Sequence, residues 1–427
     1  MTNRSWPAPA SLALPVPKVT LRRGWFNRAV FCVGMAVVTF SQLRVVGPFG
    51  LGEFILLGWA GFTVFSPAWR VRKSARLWPT TVLGLYLVLS LIGTPVGLIL
   101  GKNPPGTAMR FTAAIALVSL ITMALTYHAD RAAIIATWAK WWPILAVGPN
   151  FLAYLISTRQ STFLGLRLLD GDYAAYFRFQ GLTTNPNQLA MIAGCALFVS
   201  LDQFRRARRK AGPVILAFLS LVVGYYSGSD AFRVSLLAAG ASAVAIVLLN
   251  KRRTFGGALL LVGAWLVILV GLISANSILQ AGNNLSSSQN GQGSERELLW
   301  GKCASILLRY PLAGIGPTTP VSTSVSPTLT ECHNSYLDIG TGGGVLAVFS
   351  MVALLIYIGR RYWRAKDPVK LGMLVWLATF MVFGYQGRHP IFWMILLWMA
   401  APDVPMVSKQ AAQLRLLPKS IERSSYV

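Results

Sequence analysis

Hydrophobic positions in this chain come in long runs, not in the alternating or one-faced patterns of soluble strands and helices. Between charges and breakers, twelve apolar stretches stand out: 29–43, 49–66, 77–100, 108–127, 141–157, 187–202, 212–227, 231–249, 255–275, 334–358, 370–384 and 389–402. A helix needs about 20 predominantly apolar residues to cross a bilayer, and an open backbone cannot satisfy its hydrogen bonds in hydrocarbon. The pattern predicts an all-α, polytopic membrane protein of about twelve transmembrane helices, built as a single integral membrane domain over 1–427. Stretches 187–202 and 389–402 are the shortest for the task. The run after Arg28 lacks an A-x-A-like cleavage site, so it is expected to be a retained first span.

Composition agrees with this reading. Of the 427 residues, 54% are hydrophobic and 12% charged, against about 25% charged in a soluble domain. The charges are lopsided, with 39 Lys and Arg against 13 Asp and Glu, a net +26. Taken alone, that number would suggest a nucleic-acid partner. Its distribution argues otherwise, because Lys and Arg concentrate in cytoplasmic loops. With the N-terminus in the cytoplasm, 28 of the 39 cations fall in inside segments and 11 outside. The tails 1–28 and 403–427 both come out cytoplasmic, and no nucleic-acid partner is expected.

Two outside segments, 158–186 and 276–332, are long for connections in a helical protein, and such loops tend to be functional or disordered. Within the second, Glu295–Leu308 sets Leu298, Leu299, Ile306 and Leu307 on one helical stripe. That stripe fits a helix lying on the outer leaflet or one packed on the spans. Cys303 and Cys332 share this segment, and a bridge between them would pin the loop next to His333. No phosphate-binding glycine loop is present: Gly101-Lys102 is followed by Asn103 and Gly301-Lys302 by Cys303. Asp170-Gly-Asp172 is a thin candidate for a divalent metal, and a solvated loop explains it as well.

Of the 11 outside cations, nine are arginine: Arg44, Arg110, Arg159, Arg167, Arg178, Arg233, Arg296, Arg309 and Arg388. A guanidinium fork matches phosphate oxygens bidentately, although a single arginine at a membrane boundary commonly just snorkels to headgroups. Three stretches go beyond that. Arg178-Phe-Gln-Gly-Leu-Thr-Thr-Asn-Pro-Asn-Gln-Leu-Ala190 leads through a proline into a span, with Asn187 able to cap the helix near an anion. Ser227-Gly-Ser-Asp-Ala-Phe-Arg233 puts an arginine on the outer turns of the next-but-one span, where an ionisable group suggests function. Glu331-Cys-His-Asn-Ser-Tyr-Leu-Asp338 sets a histidine at an outer mouth, and imidazole can accept a hydroxyl proton near neutral pH. Asp338 stands five residues on, poor helical spacing for orienting that ring.

Taken in order, these residues resemble the O-antigen ligase and polymerase superfamily. The carriers are Arg178, Gly181, Asn185, Pro186, Asn187 and Ala190, then Arg233, then Arg296, Trp300, Pro311, Leu312, Gly314 and Gly316, then His333 with Asn334. In that family the second arginine usually follows a serine directly, whereas here Asp230-Ala-Phe intervene. The resemblance implies an inverting, metal-independent glycosyltransferase of the GT-C type, without cofactor, in the bacterial inner membrane. It implies a periplasmic active site acting on an undecaprenyl-pyrophosphate-linked glycan. On that pattern Arg178, Arg233 and His333 are expected to be catalytic, and Asn187, Arg296, Asn334 and Arg388 to bind substrate. The acceptor is either the growing lipid-linked chain, making a polysaccharide polymerase, or lipid A-core, making a ligase; the polymerase is slightly preferred. Membrane lipids, and a chain-length regulator or flippase, are the remaining expected partners. A flippase or secondary transporter is the rival class, and it would place charges deep within spans.

Overall fold

The computed structural model describes residues 20–46, 49–66, 78–102, 105–170, 178–249, 292–317, 331–384 and 386–401. They form helices α1 (Thr20–Val37), α2 (Leu51–Val64), α3 (Trp78–Ile99), α4 (Pro105–Tyr127), α5 (Arg131–Ser157), α6 (Pro186–Arg206), α7 (Ala211–Tyr226) and α8 (Asp230–Leu249). After them come α9 (Gln292–Arg309), α10 (Ser335–Ala365), α11 (Pro368–Phe380) and α12 (Pro390–Ala400). Three two-stranded hairpins decorate one end: β1 (Arg44–Val46) with β2 (Phe49–Gly50), β3 (Thr162–Phe163) with β4 (Leu166–Arg167), and β5 (Leu169–Asp170) with β6 (Arg178–Phe179). Helices thus occupy eleven of the twelve apolar stretches, and the remaining one, 255–275, lies outside the described residues.

By length and composition, α3, α4, α8 and α10 are each able to cross a membrane, while α2, α7, α11 and α12 are apolar but shorter. At 11 residues α12 is only about 17 Å long, short of a hydrocarbon core of about 30 Å. Every one of its residues is buried, so it serves as the centre of the bundle. Helix α6 shares that role: it is buried on nearly all sides because Ala190, Ala193, Gly194 and Ala196 keep its girth small. Gly194 lies against the ring of Trp376 on α11, where any side chain would collide. Around this centre α8 packs on α11, α7 on α6, α3 on α10, and α1 on both α2 and α5. Large apolar side chains point away from it, among them Phe62, Phe65, Met109, Phe218 and Phe349. Bulky apolar groups facing outward on several helices are what a lipid-embedded surface requires.

Helix α9 forms over the stretch 295–308. Leu299, Cys303 and Ile306 cluster with Cys332 and Leu337, so the helix packs on α10. Leu298 and Leu308 are exposed on its other sides. The turn after it, Pro311-Leu-Ala-Gly-Ile-Gly316, is wedged between α3 and α10. Gly314 and Gly316 take left-handed φ of 65° and 79°, and Ile315 N–H donates to the Thr341 carbonyl at 2.7 Å. Helix α10 breaks at Gly344 (φ 77°), where Val345 N–H donates to the Pro311 carbonyl, again at 2.7 Å. The run Gly340-Thr-Gly-Gly-Gly344 is therefore a seat for the wedge, and Gly93 on α3 supplies its opposite wall.

Candidate active site

At the hairpin-bearing end Arg178, Asn187 and the turn that carries Arg233 meet. Arg178 lies in β6, paired in register with Asp170 of β5. Its guanidinium donates to Asn187 Oδ1 at 3.0 Å and to the Ser227 carbonyl at 3.3 Å. The stem runs across Gly228, where a Cβ would sit 3.3 Å from Arg178 Cγ. Gly228 is left-handed (φ 64°) as well, so the α7–α8 turn offers a bare backbone to this side chain.

Arg233 starts from that same turn. It lies one turn into α8, with its N–H on the Ser229 carbonyl. The guanidinium donates to Asp230 at 3.3 Å and covers the Tyr225 ring at 5.2 Å. Asp230 is largely exposed, whereas the Arg233 side chain is only 13% exposed. Its Nε is buried with no hydrogen-bond partner among the described residues. A ring relay of Tyr225, Tyr226, Tyr154 and Phe179 links this arginine back to the residue after Arg178. Two arginines thus converge on one turn from two directions.

The loop between β6 and α6 is held by residues the sequence did not single out. The Gln42 amide donates to the carbonyls of Arg167, Gly181 and Thr183, at 2.7, 2.8 and 2.8 Å, and accepts from Arg167 N–H. Buried Asn150 accepts from Leu182 N–H at 2.9 Å, facing left-handed Gly181. Both lie far away in sequence, and only the fold brings them here. The α6 cap also differs from expectation. Asn185, not Asn187, is the N-cap, and its Oδ1 accepts from Asn187 N–H at 2.7 Å. Pro186 fits the first helical position, where no N–H is needed, and this fixes the start one residue before it. Asn187 is left free to receive Arg178.

His333 stands at the start of α10, exposed, with a left-handed φ of 52°. Cys332 before it is bridged to Cys303 of α9, so the disulfide that spacing allowed is formed. Asn334 is the N-cap of α10 and accepts from the N–H groups of Tyr336 and Leu337 at 3.0 and 3.2 Å. Asp338 was set aside on spacing, yet its carboxylate accepts from backbone N–H groups on both sides of His333. The two residues act on each other through the main chain, where helical spacing of side chains is irrelevant.

Arg388 forms an ion pair with Glu331 and lies over the Phe111 ring at 4.2 Å. Arg110 is within electrostatic range of both Arg388 and Arg44. Next to it, His389 caps α12 by accepting Ile391 N–H on Nδ1 at 3.2 Å. The other ring nitrogen, Nε2, lies 2.7 Å from the side-chain amide nitrogen of Gln188. Gln188 in turn accepts from Ser41 Oγ at 2.8 Å. This chain ties α12, α6 and the end of α1 together under the Arg178 loop. Arg296 lies on α9, two turns before Cys303. Asp170 takes its place in the β5–β6 hairpin, and no metal-binding group of acids, histidines and cysteines occurs among the described residues.

Apolar helices around a buried centre, four of them among the described residues long and apolar enough to cross a membrane, define a multi-pass membrane protein. Residues 215–352 match the family model for O-antigen ligase. The matched segment holds Arg233, Arg296 and His333, together with the wedge and its seat on α10, and Arg178 and Asn187 lie upstream of it. Over that segment, about a third of its length, the chain is similar to the O-antigen ligase family, in line with the resemblance its motifs carry. No curated protein matches the chain.

Proposed function

We propose that this protein is a glycosyltransferase of the bacterial inner membrane that moves a glycan from undecaprenyl pyrophosphate onto an acceptor sugar at the periplasmic face. The observation that carries this reading is the convergence of Arg178 and Arg233 on the α7–α8 turn. The acceptor hydroxyl attacks the anomeric carbon and loses its proton to His333. The bond from that carbon to the pyrophosphate oxygen breaks with inversion, and the lipid pyrophosphate departs with added negative charge. Fixed guanidiniums stabilise that charge most in the transition state, a task a divalent metal would otherwise perform. Asn187 orients Arg178, Arg296 and Arg388 bind donor phosphate or acceptor, and Asn334 keeps the His333 turn in place.

A transporter would carry charges near the bilayer midplane. Among the described residues, buried Asp202, Lys370, Asp338 and His128 all lie near helix ends, which favours chemistry at the boundary. The polymerase is the preferred form of the activity. Electrophoresis of lipid-linked and surface glycans from a deletion strain tests this. Single repeats on lipid A-core support the polymerase, and full-length chains retained on the carrier mean a ligase. Material that accumulates inside the cell would refute both in favour of transport.

A further inference from the structure

His333 is exposed between two buried neighbours and holds a backbone conformation that L-residues seldom adopt. Such a residue persists only where its surroundings over-determine it. Here three ties do so. Asp338 Oδ1 accepts from Cys332 N–H at 2.9 Å, and Oδ2 accepts from Asn334 N–H at 3.3 Å. One buried carboxylate therefore grips the amide on either side of the histidine. The disulfide fixes Cys332 to α9, and the cap made by Asn334 fixes the downstream flank to α10. Arg296 lies seven positions before Cys303, about two turns along α9. The bridge thus locks the arginine-bearing helix and the histidine turn to each other.

We propose that Asp338 and the Cys303–Cys332 disulfide are positioning groups for glycosyl transfer, holding His333 toward the acceptor hydroxyl and registering it against α9. The inference rests on His333 being the base in the reaction above. Asp338 touches no reacting atom; it acts through the main chain. Removing one of its two acceptor oxygens, as in Asp338→Asn, turns an acceptor into a donor that faces an N–H. The turn then relaxes and the imidazole moves, and a displacement of about 1 Å is enough to lower turnover about 10²-fold.

The test uses the full-length enzyme in proteoliposomes with lipid-linked donor and acceptor. The variants are Asp338→Asn, Cys303→Ser/Cys332→Ser, His333→Ala and His333→Ala/Asp338→Asn. Expected is a fall in kcat of about 10²-fold for Asp338→Asn and for the double serine variant, with KM unchanged. On the His333→Ala background, Asp338→Asn should add nothing. Wild-type protein reduced with dithiothreitol, its thiols counted by alkylation and mass spectrometry, should match the double serine variant and so covers a failure of that variant to fold. A normal rate for His333→Ala would remove the base and with it the reading on which the inference rests. An inactive His333→Ala beside normal Asp338→Asn and disulfide-free enzymes would overturn the inference alone. So would a further drop when Asp338→Asn is added to His333→Ala, or an effect confined to KM.

Discussion

Asn187 Oδ1 receives the Arg178 guanidinium at 3.0 Å, across the elbow between β6 and the first turn of α6. A side-chain amide aims an arginine without adding a charge of its own. Hydrogen bonds to charged groups contribute about 1.5–3 kcal/mol. Asn187→Ala should therefore lower transfer about 10- to 100-fold while the protein stays folded. Asn187→Asp should aim the arginine equally well but weaken donor binding, because the carboxylate competes with the pyrophosphate. Donor KM and kcat for the two variants check this; equal KM values would contradict it.

Arg388 and Glu331 form a half-buried ion pair beside the His333 turn. Breaking it from one side should destabilise by about 1–3 kcal/mol, between the values for exposed and fully buried pairs. Arg388→Ala also uncovers Phe111, whereas Glu331→Gln does not. The expected order of thermal midpoints in detergent is wild type, Glu331→Gln, then Arg388→Ala. The double variant should lose less than the sum of the single losses.

Gly314 cannot carry a side chain: its φ is 65°, and a Cβ would run into the Thr341 carbonyl. Gly314→Ala should cost about 2 kcal/mol or more through strain and overpacking. Gly106, on an open face of α4, is the control. Gly106→Ala should leave the protein unchanged or slightly more stable. Fluorescence-detected size exclusion after a heat step distinguishes the two variants.

His128, between α4 and α5, is held below the ordinary histidine value of 6.5 by burial, with Asp130 opposing in part. Its Nδ1 accepts Asp130 N–H at 2.9 Å, and Nε2 lies 2.6 Å from the Asn27 amide. The folded ring therefore binds a proton less readily than the unfolded one. Its contribution is complete above about pH 6.5 and declines as pH falls from there toward the lowered folded value. His128→Gln should flatten the loss of thermal midpoint between about pH 7 and 5.5; an unchanged slope would contradict the assignment.

The helices were legible because a membrane span must satisfy its backbone internally, which writes it into sequence as an uninterrupted apolar run. The run at 389–402 forms a helix of 11 residues that is buried throughout, and burial among other helices calls for the same composition as burial in lipid. Arg178, Arg233 and His333 stood out as polar residues next to such runs. The cap expected at Asn187 falls two residues too late, because the proline that takes the first helical position makes Asn185 the cap. Asp338 was misjudged because periodicity speaks of side chains meeting side chains, and its partners are main-chain amides. Gln42 and Asn150 left no local signal: they hold the Arg178 loop through contacts made only once α1 and α5 stand beside it.

The seat for the Pro311–Gly316 turn is built from the backbones of α3 and α10. Those two helices emerge at opposite ends of synthesis. During biogenesis the early helices must wait in the bilayer with Gly93 facing a vacant groove until Gly340–Gly344 has left the ribosome and inserted. His333 enters just ahead of that segment. The chain therefore acquires its proposed base and the floor beneath it at nearly the same moment, late in insertion, and a truncated product that stops at α8 would carry both arginines without the proposed base.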